Sequence, residues 1–111
     1  MRKNKEVEVN DSNFQKKVIE ASNKIPIVVD FWAEWCGPCH MLEMMMSKLM
    51  KEYKGKFVLA KVNVDKNPKT AAEYRIMGIP NVKMFKNGQL ADEFVGALPE
   101  IQVREWLDKN L

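Results

Sequence analysis

Only two of the 111 residues are cysteine and only one is histidine. Two cysteines close at most one bridge, which excludes a small scaffold stapled by a disulfide framework. A structural zinc site takes four ligands, so these three residues would need a carboxylate or a second molecule to complete one. No apolar run approaches the ~18 residues of a membrane span. Residues 1–10 carry no apolar stretch behind their basic start, so a cleaved leader finds no support either, and the expected location is cytoplasmic. An excess of one charge is also missing from the body of the chain. The formal net charge is +3, and Arg2, Lys3 and Lys5 supply all of it, leaving fifteen cations against fifteen anions. Nucleic-acid binding needs cations gathered on one face; from residue 16 to 109 the signs are mixed, so neither nucleic acid nor membrane is expected as a partner. No repeat, low-complexity tract or linker divides the chain. A chain of this length buries roughly two-thirds of its unfolded surface, and the expectation is one domain over 1–111, with 1–6 a flexible basic tail.

What is present alternates helical and strand patterns. Ser12 and Gln15 have capping-box spacing, and Phe14, Val18, Ile19 and Ser22 then share a face, predicting a helix over about 12–23. Residues 27–32 are nearly all apolar, as in a strand covered on both faces, and a short strand is expected near 7–9. Leu42, Met45, Met46, Leu49 and Tyr53 mark a long amphipathic helix that stops at Lys54-Gly55-Lys56. The methionines at 41, 44, 45, 46 and 50 read as core filler. A strand over 57–64 follows. Asn67 and Pro68 then offer a cap and a first-turn proline for a short helix to about 75. Asn87-Gly88 between apolar runs marks a hairpin, and a last helix begins at Pro99. This order implies an α/β fold, a mixed sheet with helices on both faces.

Cys36 and Cys39 lie where the buried strand meets the long helix. The first cysteine falls near the helix N-terminus, where free backbone N–H groups and the helix dipole favour a thiolate. The second is one turn in, close enough to bond the first and more covered, and Pro38 fits the first turn. These features describe a reversible dithiol. With His40 the run also matches C-x-x-C-H, the attachment pattern of c-type haem, which the missing leader and the packed strand–helix pattern disfavour. Asp30 interrupts the apolar strand six residues before Cys36. It is either a strand-end carboxylate reaching water or a buried proton acceptor beneath the dithiol. Lys61, on the next strand, is either a solvated lysine or a partner of Asp30. Trp32 and Trp35 flank the motif, and Ile79-Pro80 is a candidate cis bond.

Asp30-Phe31-Trp32-Ala33-Glu34-Trp35-Cys36-Gly37-Pro38-Cys39, Lys61-Val62-Asn63-Val64-Asp65, Gly78-Ile79-Pro80, Phe85-Lys86-Asn87-Gly88 and Val95-Gly96-Ala97 resemble, in order and spacing, the thioredoxin family over nearly all of residues 10–111. The resemblance implies the thioredoxin fold, a sheet flanked by four helices, and a protein-disulfide reductase. Cys36 would be the attacking thiol, Cys39 the resolving thiol, Asp30 the buried acid/base with Lys61 beside it, and Cys36 and Cys39 the redox disulfide. Trp35, Gly37, Pro38, Ile79, Pro80 and Gly96 would border the substrate groove, with Pro80 cis and facing the cysteines. The implied partners are disulfide-containing target proteins and a thioredoxin reductase that passes on electrons from NADPH or ferredoxin; no cofactor or metal is bound and the protein is a monomer. Three positions depart from the commonest pattern: His40 for lysine, Met44 for a helix-kinking proline, and Asn81 for threonine. Met44 should leave the helix straighter, and His40 should make the redox poise pH-dependent. The same fold also serves disulfide oxidases, isomerases and non-catalytic binding modules, and the Gly-Pro dipeptide favours the reductant by family analogy alone.

Overall fold

The computed structural model describes residues 6–111. Five strands, β1 (Glu6–Glu8), β2 (Ile27–Trp32), β3 (Val58–Asn63), β4 (Asn81–Lys86) and β5 (Gln89–Val95), form one sheet in the order β1-β3-β2-β4-β5. Strand β3 runs parallel to β1 and β2, whereas β4 is antiparallel to β2 and β5. Helices α1 (Gly37–Glu52), α2 (Pro68–Glu73) and α3 (Glu100–Asn110) join an N-terminal helical segment that is wound as π turns over Gln15–Glu20 and a 3₁₀ turn over Ala21–Asn23. The sheet is mixed, as its alternating pattern implied.

Because successive strand residues point to opposite faces, β2 feeds two cores. Val28 packs with Leu42, Met46 and Leu49 of α1 and with Val103 and Leu107 of α3. Ile27, Val29 and Phe31 pack on the other side with Phe14 and Val18 of the N-terminal segment. Each fully buried side chain of this kind contributes about 1.5–3 kcal/mol, which fixes α1 against the sheet. The helix has room for only one such stripe. Met46 and Met50 lie in it, but Met41 and Met44 are 72% and 75% exposed, so these two methionines are surface residues and not core filler. With Met44 in its middle, α1 runs uninterrupted for 16 residues.

Glu6, expected in the basic tail, belongs to the sheet. Glu6 opens β1 opposite Leu59 and its carboxylate reaches Lys61 at 3.3 Å; Arg2, Lys3 and Lys5 lie outside the described residues. The Ser12–Gln15 capping box does not form either. Asn10 Oδ1 takes the N–H groups of Ser12 and Asn13, each at 3.0 Å. At the hairpin, Asn87 (φ 54°) and Gly88 (φ 79°) both adopt the left-handed conformation that a two-residue turn requires. The turn is pinned to the N-terminal segment by hydrogen bonds from both N–H groups to Ser22, each 2.8 Å.

Pro68 opens α2 as predicted, but the side chain of Asn67 does not cap it. The cap comes from Asp11, whose carboxylate accepts the N–H groups of Lys69 (3.2 Å) and Thr70 (2.8 Å) and the Thr70 hydroxyl (2.7 Å). Asn67 serves the same junction differently, accepting from Asp11 N–H at 2.9 Å and donating to the Asn63 carbonyl at 3.0 Å. Thr70 holds the Asp11 carboxyl below its ordinary value. A depressed carboxyl stabilises the folded state above its unfolded value and loses that contribution as pH falls through the folded one. Asp11→Ala should therefore lower Tm by a few degrees near pH 7, with the gap to the unsubstituted protein closing below about pH 4; melts at pH 7 and pH 3 check this.

Candidate active site

The short path from β2 into α1 builds the site. Cys36 is the N-cap of α1, in extended conformation, and its sulfur accepts the N–H of Cys39 at 3.2 Å. That bond satisfies one of the donors a helix start leaves free. Gly37 and Pro38 form the first turn, where the proline lacks an N–H that would otherwise be unpaired. The two sulfurs are joined as a disulfide with Cα atoms 5.3 Å apart, and in this form neither is free to bind zinc or a haem vinyl group. Cys39 is fully buried and Cys36 almost so, in a small cluster with Ala33 against which Trp32, Val64 and Ile79 pack.

Of the expected groove residues, Ile79 packs against this pair. The Ile79–Pro80 bond is cis. The Pro80 carbonyl accepts the N–H of Gly96 at 2.8 Å, and Gly96 holds φ at +97°, a conformation that glycine adopts without strain. Trp35 is 71% exposed, its indole N–H donating to Asp65 at 2.8 Å. Gly37 is exposed, with nothing within 4 Å of where a side chain would begin. His40 donates to the Glu34 carbonyl at 2.8 Å and meets Trp32 edge-on, tying the loop before Cys36 to α1. Asn81 is buried with its Oδ1 unpartnered.

Asp30 shares the α1-facing side of β2 with Val28, and its carboxyl is completely buried, so it does not reach water at a strand end. Neither oxygen has a hydrogen-bond partner. Burial first, and the nearby Glu43 carboxylate second, push it up from 3.8 to about 7, against the pull of Lys61. Lys61 is the register partner of Asp30 across β2 and β3. Its ammonium nevertheless pairs with Glu43 and Glu6. Burial alone would make that ammonium easier to deprotonate; the two glutamates outweigh it and raise Lys61 above its ordinary value. Glu43 and Glu6 escaped the sequence reading. For Glu43 a signal existed: it stands four residues after Cys39, on the same side of the helix. For Glu6 none did, because only sheet order brings β1 beside β3.

A cysteine pair at a helix N-terminus, packed against the isoleucine of a cis-proline bond, can exchange electrons as a thiol–disulfide couple. The thioredoxin family model matches residues 5–109. The chain belongs to the thioredoxin family. It is 43% identical over 103 residues to a thioredoxin of Rickettsia felis, covering 93% of this chain and 96% of that one. With thioredoxin 1 of a Nostoc species it is 41% identical over 104 residues, 94% and 95% of the two chains. A thioredoxin 2 of Chlorobaculum tepidum is similar at 44% over 104 residues, 94% of each. Thioredoxins are protein-disulfide oxidoreductases, and the Cys36–Cys39 pair supplies the thiol–disulfide reductase chemistry of this one. Among the described residues no three His, Cys, Asp or Glu side chains gather as a metal site, and no helix is long and apolar enough to cross a membrane.

Proposed function

We propose that this thioredoxin acts as a single-domain, monomeric reductant of protein disulfides in the cytoplasm, with Cys36 as nucleophile and Cys39 as resolving thiol. In the reduced protein the Cys36 thiolate attacks one sulfur of a target disulfide and displaces the other as a thiolate, leaving a mixed disulfide. Cys39 gives its proton to the Asp30 carboxylate, directly or through water, and attacks the Cys36 sulfur. Asp30 returns that proton to the departing thiolate and water supplies the second, so the target leaves as a dithiol and the protein keeps the Cys36–Cys39 disulfide. A thioredoxin reductase drawing on NADPH or ferredoxin then returns two electrons and two protons. Trp35, Gly37, Pro38, Ile79, Pro80 and Gly96 border the groove that receives the target chain, and Lys61 tempers the charge that Asp30 carries before it accepts the Cys39 proton. The observation that carries this reading is the Cys36 sulfur at the N-cap of α1, receiving the Cys39 N–H: the same donor that meets the sulfur in the disulfide stabilises its thiolate after reduction.

Equilibration in graded glutathione buffers, read by alkylation and mass shift, tests it. A reductant's pair stays closed until the most reducing ratios. Opening at mildly reducing ratios would reassign the protein as an oxidase or isomerase, and a pair that never opens would leave a binding module.

A further inference from the structure

The buried carboxyl of Asp30 has an ammonium beside it in register and yet no partner. Among the described residues Lys61 is the cation placed opposite it in register, and two other carboxylates hold that cation. From α1, Glu43 forms the closest ion pair with Lys61 Nζ. From β1, Glu6 lies 3.3 Å from it, and Glu8 stands opposite Lys61 in register. On its other side Asp30 faces Val82 of β4, and the α3 residues in the shared core, Val103, Trp106 and Leu107, carry no charge. His40 is engaged with the Glu34 carbonyl. One positive charge thus serves several negative ones, and it is turned toward the helix that carries Cys39.

We propose that Glu43 is a positioning residue for the redox chemistry, which, by holding the Lys61 ammonium, denies Asp30 a direct counterion and disfavours the ionised form of the buried carboxyl. The proposal rests on the reading of Asp30 as the proton partner of Cys39. Glu43 acts in two ways, both of the same sign. Its own negative charge opposes a second one on Asp30 across the packed face of α1, and its ion pair draws away the cation that would stabilise that charge. Removing the charge of Glu43 therefore eases ionisation of Asp30. Removing Lys61 does the reverse, because the carboxylates then face Asp30 with nothing between them. A residue that merely held the helix in place would not produce opposite signs in these two variants.

The test uses the full chain in its oxidised form, in which the cysteines do not titrate. The Asp30 carboxyl carbon is followed by NMR against pH in the unsubstituted protein, Glu43→Gln, Glu43→Asp and Lys61→Gln. The expected midpoint falls by about one pH unit, tenfold in proton affinity, in Glu43→Gln, recovers in Glu43→Asp, and rises in Lys61→Gln. A midpoint that stays in place or rises in Glu43→Gln overturns the proposal. The pH profile of target reduction separates it from the reading beneath it. If the Asp30 midpoint moves and the ionisation limb of the rate profile moves with it, both stand; if the midpoint moves and the profile does not, the control by Glu43 holds and Asp30 is not the proton partner of Cys39.

Discussion

Cys36→Ser is expected to abolish the reduction of an insulin-type disulfide, and Cys39→Ser to stop turnover as well but leave a covalent adduct with the target. The two cysteines are three residues apart, yet the fold gives them unequal positions. Cys36 caps α1, with the N–H of Cys39 donated to its sulfur; Cys39 is one turn deeper and fully buried. In the proposed exchange the first meets the incoming disulfide as a stabilised thiolate. A serine hydroxyl there is not ionised at neutral pH, and the rate should drop to background, a loss on the order of 10³-fold or more. With Cys39 replaced, the first exchange still proceeds and the second has no nucleophile, so the mixed disulfide accumulates and is read as a mass increase or a band on a non-reducing gel. The double variant should be no slower than Cys36→Ser alone, because the two sulfurs act as a unit and their losses do not add. Full activity in Cys36→Ser, or an adduct in Cys36→Ser and none in Cys39→Ser, would reverse the roles assigned here.

Much of this arrangement is legible along the chain because it is local. The dithiol, its place at a strand–helix junction and the proline in the first turn lie within four consecutive residues. The strand and helix patterns depend on neighbours two to four positions away, and every element they predict is present. What local pattern does not reveal is which distant group arrives at a given atom. Asn67 has the right type and place to cap α2, but Asp11 takes that role from across the fold. Asp30 and Lys61 are predicted neighbours and are so in register, while the ammonium is held by Glu43 and Glu6. Sequence alone left Asp30 open between a solvated and a buried carboxyl, because its apolar flanks describe the strand and not the helix laid over it. The five methionines show a further limit. Their crowding in one helix suggested core, but a helix offers the sheet one stripe, and Met41 and Met44 fall outside it.

Burial of Asp30 carries a consequence for stability that a single substitution exposes. Its carboxyl is raised from 3.8 to about 7 in the oxidised fold, so between those two values the folded chain keeps a proton that the unfolded chain has released. Stability falls with rising pH wherever the folded state binds more protons. The contribution of Asp30 is therefore neutral at pH values below about 3.8, becomes progressively unfavourable up to about 7, and stays constant above. Each pH unit between the two values is worth about 1.4 kcal/mol, so the full cost is roughly 4 kcal/mol, a large part of the 5–15 kcal/mol that holds a typical domain together. Asp30→Asn removes the ionisation and keeps the shape. Its unfolding free energy in urea, relative to the unsubstituted oxidised protein, should rise by roughly 4 kcal/mol between pH 4 and pH 8, whatever fixed penalty the buried amide adds at both. A difference independent of pH would mean that Asp30 ionises as easily in the fold as outside it, and would remove the basis for its part in the exchange. The same variant should resolve mixed disulfides more slowly. A carboxyl that weakens the fold at neutral pH, with no hydrogen bond to compensate it, is accounted for under the proposed mechanism by the proton it takes from Cys39.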